Sequence, residues 1–292
     1  MAGTDWFLLG APWDSSGGAR GEESAPQALR AAGLADWVGR DVGDAETSIR
    51  TSDRDTRTGV RALPDTVMAA RRLAGTLAGA LHDEPDRRPL VVGGDCSLLL
   101  GVFGALPGGT GLWFVDGHAD YLDGDSSDSG ETADMELAML HGHGPPDLVR
   151  SGLDEPMLRA ADTVLIGHRA HPADNQSVAE LTRLPDELPR IDADTVRDDP
   201  SGSGRRAADR IDTESCWLHI DLDVLDPTSL PAVTYPQPGG PDWEQLTALL
   251  RPLAASPRLA GVSVADFRPD LDPDGMLAHR VVGMVTEVLA AP

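Results

Sequence analysis

The sequence predicts an α/β protein: a parallel sheet with helices on both faces. Three observations carry this prediction. Short, continuous apolar runs recur along the chain, as expected for strands covered on both sides. Segments rich in Ala, Leu and Arg, with apolar residues at helical spacing, lie between them. Polar residues gather just after the apolar runs, where open α/β sheets bind ligands.

In chain order, "WFLLGAP" reads as a first strand ending in a turn, and "APQALRAAGLADWV" as a helix. Residues 43–63 are polar and read as a loop. "LPDTVMAARRLAGTLAGALHD" is a long helix with Asp65 suited to its first turn. "RPLVVGGD", "GLWFVDGHAD", "ADTVLIGHR", "SCWLHIDLDV" and "LAGVSVADFRP" are five further strands with their exits. Residues 122–134 form an acidic, Ser/Gly-rich loop, and "VRDDPSGSGRRAADRIDTES" reads as a surface excursion. "GMLAHRVVGMVTEVLAA" is the last helix. There is no internal repeat, so residues 1–292 are expected to form one domain.

The net charge of −24, from 48 acids against 24 bases, argues against nucleic-acid and anionic-membrane partners. Every base is arginine, which excludes a Schiff-base or lysine general-base mechanism. Two cysteines make no disulfide framework. The N-terminus has no basic region and too short an apolar run for a signal peptide, and no apolar stretch is long enough to cross a bilayer. A soluble, cytoplasmic protein is expected.

The strongest chemical signal is "DGHAD". On extended backbone, Asp116, His118 and Asp120 point to one side. "HIDLDVLDP" adds Asp221 and Asp223, with Asp226-Pro227 making the turn. Five such groups repel one another unless a cation sits among them. Carboxylates with one imidazole suit Mn²⁺ best, and Fe²⁺, Co²⁺, Ni²⁺ and Zn²⁺ are compatible.

With these motifs the chain resembles the arginase/agmatinase/formiminoglutamase family, the ureohydrolases. "GAPWDSSGGARGEESAPQALR", "GGDCS", "DGHAD" and "HIDLDVLDPTSLPAVTYPQPGG" follow the family's order and spacing, and "VLIGHR" and "VSVADFRP" resemble two further strand ends. The resemblance implies a three-layer α/β/α sandwich on a mostly parallel eight-stranded sheet. It implies two Mn²⁺ ions per chain sharing a hydroxide that attacks a guanidino or amidino carbon, releasing urea or formamide. One ion would take Asp116, Asp120, Asp221 and Cys96, and the other Asp116, His118, Asp221 and Asp223. Asp120 and Asp266 are the expected catalytic carboxylates, with Asp266 holding the substrate cation. The resemblance further implies a homo-oligomer, trimer or hexamer. A non-catalytic binding protein and a deacetylase-like amide hydrolase are the alternatives.

Two departures stand out. Cys96 occupies the position of a family histidine, and three roles stay open for it: a working ligand, a neighbour that does not ligate, or the mark of a degraded site. In the substrate loop, Glu131 replaces an asparagine and Ala133 a histidine, while Ser129 keeps its place. Ser129, Glu131 and Asp134 are expected substrate contacts, and the acidity that Glu131, Asp134 and Glu136 give the loop disfavours plain L-arginine in favour of an agmatine-like or modified guanidino compound. His141 is either a displaced proton shuttle or a surface histidine. His219 is either an orienting partner of a metal ligand or a satisfied core histidine.

Overall fold

Eight segments pair into one sheet: β1 (Trp6–Ala11), β2 (Arg40–Asp44), β3 (Arg88–Gly93), β4 (Gly111–Val115), β5 (Thr163–Ile166), β6 (Arg190–Ile191), β7 (Cys216–Asp221) and β8 (Leu259–Ala265). The computed structural model describes residues 3–149 and 156–290. Strand order is β2-β1-β3-β8-β7-β4-β5-β6, and every named pairing is parallel.

Alternation along each strand divides the core into two layers. Leu8, Val92, Trp113, Leu218 and Val262 face one side, packed against the helices Pro200–Arg210, Trp243–Ala254 and Met276–Leu289. Phe7, Leu9, Val91, Phe114 and Trp217 face the other, against the helices Leu63–Asp83 and Leu99–Phe103. This is the expected three-layer α/β/α sandwich.

Three sequence readings change. The helix expected over 25–38 is broken: Ala25–Leu29 passes into a wider turn at Arg30–Leu34, where Gly33 adopts φ 105°. Strands β2 and β6 are additional. The expected surface excursion contains the helix Pro200–Arg210. Asp199 caps it by accepting from the Gly202 amide at 3.0 Å, and Pro200 sits in its first turn.

The topology positions the site. After β3 the chain crosses to β4, and β8 and β7 later fill the gap between them. The four central strands thus end side by side, and their carboxyl ends border the crevice where such sheets take ligands.

Candidate metal and active site

Each central strand delivers chemistry at its exit. Strand β3 leads into Gly93-Gly94-Asp95-Cys96. A side chain on Gly94 would put a Cβ 1.4 Å from the Trp13 carbonyl oxygen, so this turn is glycine because two backbones touch there. Asp95 accepts from the Ser15 and Ser97 amides, at 2.5 and 3.0 Å, which fixes Cys96 in place. Strand β4 leads into Asp116, His118 and Asp120, and β7 ends at Asp221 with Asp223 in the next turn. Asp266 follows β8. Asp120 and Asp266 hold left-handed backbone, φ 47° and 60°, at a cost of order 1 kcal/mol each that the surrounding structure absorbs.

These side chains converge in a cavity of about 410 Å³ lined by Cys96, His118, Asp120, Asp221, Asp223 and Asp266, among others. Potential ligand atoms cluster within 4.8 Å of one another in the sets Asp116/His118/Asp223, Asp116/His219/Asp221, Asp221/Asp223/Asp266 and Cys96/Asp120/Glu136. His118 Nδ1 lies 2.7 Å from Asp223 Oδ2. Asp116 is nearly inaccessible and faces both Asp120 and Asp223.

The residues fit divalent cations. Asp116 Oδ2, both oxygens of Glu136 and His219 Nε2 are buried without a hydrogen-bond partner. Burial, then the neighbouring acids, pushes Asp116, Asp120 and Asp221 well above the usual carboxylate range. Orphaned oxygen and nitrogen donors in such density are what a cation would satisfy.

His219 stacks on Phe114, with ring centroids 5.4 Å apart, and its Nδ1 lies 2.7 Å from Ser263 Oγ. His219 belongs to the set with Asp116 and Asp221, and its Nε2 has no hydrogen-bond partner. Burial pushes its pKa down to about 3, so the ring is neutral.

The substrate-side residues are tied down. Asp134 accepts from the hydroxyls of Ser127 at 2.6 Å and Ser129 at 2.8 Å. The Arg54 guanidinium donates to the carbonyls of Gly59, Gly124 and Ser127, clamping the loop over 122–134 onto the loop over 43–63. Glu131 is not a free rim charge: Arg20 lies 2.9 Å from it, and Tyr235 donates to it at 3.3 Å. Burial works against the charge of Arg20, but Glu22 and Glu131 more than offset it and hold its pKa above normal.

His141 is not at the site. Its ring is buried between the Tyr121 hydroxyl, 3.1 Å from Nδ1, and Thr163 Oγ1, 2.9 Å from Nε2. It does not line the cavity, and burial lowers its pKa to about 3. It is a core histidine, neither a shuttle nor a surface group.

Sequence reasoning missed Arg20, Glu22 and Glu180, and took Glu136 only for one of the acids of the substrate loop, whereas it is buried beside Cys96 and Asp120. Glu22 is fully buried and accepts from the Thr234 hydroxyl, and Thr234 in turn donates its amide to Asp266 at 3.3 Å. Glu180 accepts from the Ala119 amide at 3.1 Å and faces His118. The one available signal was an acid on the inward face of the amphipathic helix Asn175–Arg183, beside buried Ser177.

A pH dependence follows for the metal-free chain. Burial raises Glu22 to about 10, Asp266 to about 8 and Glu180 to about 7. His118, despite its burial, is raised to about 9 by Asp223. Each folded-state pKa lies above its unfolded value, so from about pH 6.5 to 9 the folded chain holds more protons than the unfolded one. Stability therefore falls as pH rises through this window. The expected result is a drop in Tm of roughly 5 °C or more between pH 6.5 and 9 without metal, reversed by saturating divalent ion, which binds the deprotonated ligands. A flat or rising metal-free Tm refutes it.

The model of the Arginase family matches residues 4–291. The arginase of Brevibacillus brevis is 26% identical over 294 residues, covering 96% of each chain. The arginase structure from Bacillus caldovelox superposes with a TM-score of 0.85 at 23% identity over 99% of both chains. The formimidoylglutamase structure from Bacillus subtilis gives 0.75 at 20% identity, covering 98% of this chain and 87% of the other. With the family model spanning nearly its whole length, the chain belongs to the arginase family.

Proposed function

We propose that the protein hydrolyses a C–N bond of a linear guanidino or amidino compound, releasing urea or formamide, with two divalent cations, Mn²⁺ preferred. The observation that carries this reading is the position of Asp266, buried in the cavity within 4.8 Å of the Asp221/Asp223 donors. A planar cation bound by that carboxylate is held directly against the donor cluster. Bound divalent cations supply Lewis acidity and make hydroxide available near neutral pH.

The protein's own groups do the rest. Asp116, Asp221 and Asp223, with His118 and Asp120, hold the cations. Asp266 orients the substrate cation, and Thr234 joins it to Glu22. Glu180 backs His118 and, through the Ala119 amide, the turn leading to Asp120.

The lining also supports a substrate preference. Glu22, Glu131, Asp134 and Glu180 face the cavity against one guanidinium, Arg20, which already engages Glu131. A free α-carboxylate would have to compete with Glu131 for that partner. An agmatine-like or modified guanidino substrate is therefore favoured over L-arginine. The test is urea or formamide release by Mn²⁺-loaded protein across a panel of guanidines and amidines. Turnover of a decarboxylated guanidine above that of L-arginine is expected. No release from any member, or acetate from an acetylated amine instead, overturns the reading.

A further inference from the structure

Glu136 is the most deeply buried acid that the reaction described above leaves without a role. It opens the short helix Glu136–Leu140 and is 0% exposed; neither of its oxygens makes a well-formed hydrogen bond, and the groups that face them are Asp120 and Cys96. A buried carboxylate in that state costs several kcal/mol unless something positive meets it. Its neighbours make the cost greater. A Glu136 oxygen, the Cys96 sulfur and an Asp120 oxygen lie within 4.8 Å of one another, and all three residues are buried. The Cys96 thiol also donates to the Ala133 carbonyl at 3.2 Å. Nothing among these three groups is a cation.

We propose that Glu136 is a direct metal ligand, so that Cys96, Asp120 and Glu136 together hold one cation of the centre. The inference rests on the metal-dependent reading above and adds a residue to it. It also gives Cys96 a role. A single soft sulfur is a poor partner for a hard divalent ion. A second carboxylate beside it supplies the charge and hardness that the sulfur lacks. A mixed sulfur/carboxylate set also moves the preference of this position toward Fe²⁺, Co²⁺ or Zn²⁺, relative to a set of oxygen and imidazole donors.

The test counts metal and does not use turnover. Metal-free wild type, Glu136→Gln and Cys96→Ser are titrated with Mn²⁺ and with Co²⁺, and bound metal is measured after dialysis. Wild type is expected to hold two ions per chain. Glu136→Gln is expected to lose one, or to bind it at least ~100-fold more weakly, beyond the usual effect of losing a group that merely orients a ligand. With Co²⁺, wild type is expected to show a sulfur-to-cobalt charge-transfer band, lost in Cys96→Ser and diminished in Glu136→Gln. Glutamine keeps the shape and removes the unpaired charge. Metal-free Glu136→Gln should therefore melt at or above wild type, with a smaller rise on adding metal. Wild-type metal number and affinity in Glu136→Gln overturn the proposal, as does an unchanged cobalt band. The two readings separate cleanly. Loss of an ion without turnover of any guanidine by wild type supports the ligand and overturns the function; turnover with unaltered metal binding does the reverse.

Discussion

Asp116→Ala is expected to lower urea or formamide release by roughly 10⁴-fold or more, the scale seen when one member of a concerted catalytic unit is removed. Asp116 belongs to two donor sets, one with His118 and Asp223 and one with His219 and Asp221. One of its oxygens accepts from the His118 amide at 2.6 Å, which fixes the carboxylate, and the other has no partner. Alanine therefore removes a shared donor from both positions, and metal content should fall along with activity. Unfolding is separated from this effect by the sign of the stability change. In the metal-free chain Asp116 faces Asp120 and Asp223 and is destabilising, so its removal should leave the metal-free Tm unchanged or higher. More than a tenth of wild-type turnover in Asp116→Ala, at normal metal content, shows that Asp116 is not the shared ligand.

What the sequence made legible follows from what strands do to side chains. Six strands were readable because each is a continuous apolar run whose polar residues begin where the strand ends. Asp116, Asp221 and Asp266 lie at such ends, so the motif and the position agreed. Strand β2 was hidden because "RDVGD" is an exposed, charged edge, and β6 because it has only two residues. The helix Pro200–Arg210 was hidden by its Gly and Ser content, which is ordinarily a loop signal. Tertiary contact overrides that content. A Cβ on Gly204 would lie 2.2 Å from the Leu249 carbonyl oxygen, so the small residue lets this helix press onto the helix Trp243–Ala254. The acids missed or taken for loop charges share another cause. Glu22, Glu136 and Glu180 sit on loops or short helices where an acid ordinarily faces water. Only the packing of other segments over them, the Thr234 turn on Glu22 and the Cys96 loop on Glu136, turns them into site residues. His141 misled in the opposite direction. The sequence offered it as a polar group near a substrate loop, and its place at the end of the helix Glu136–Leu140 puts the ring in the core, between Tyr121 and Thr163.

Asp266→Asn separates substrate binding from metal binding, and it is expected to lower kcat/KM by about 10- to 150-fold, the loss of one charge-assisted pairing worth ~1.5–3 kcal/mol. The carboxylate is 5% exposed and held by the Thr234 amide on one side, while its backbone amide donates to the Gly94 carbonyl at 2.8 Å. Asparagine fits that frame, so the geometry should persist while the charge is lost. Burial, and then Asp223, raises the Asp266 pKa to about 8, so the substrate cation and bound metal are what return it to the charged form near neutral pH. Removing the charge should therefore weaken the acidic limb of the kcat/KM profile as well as its height. Metal content should stay at the wild-type value, in contrast to Asp116→Ala. Asp266 also lies within 4.8 Å of the Asp221 and Asp223 donors, which gives the variant its discriminating power. Parallel loss of metal would make Asp266 a ligand instead of a substrate clamp, and unchanged kcat/KM would remove it from the reaction. Glu22→Gln is the companion variant. Glu22 reaches Asp266 through Thr234, so its loss should shift kcat/KM in the same direction by less, because it positions the clamp without replacing it.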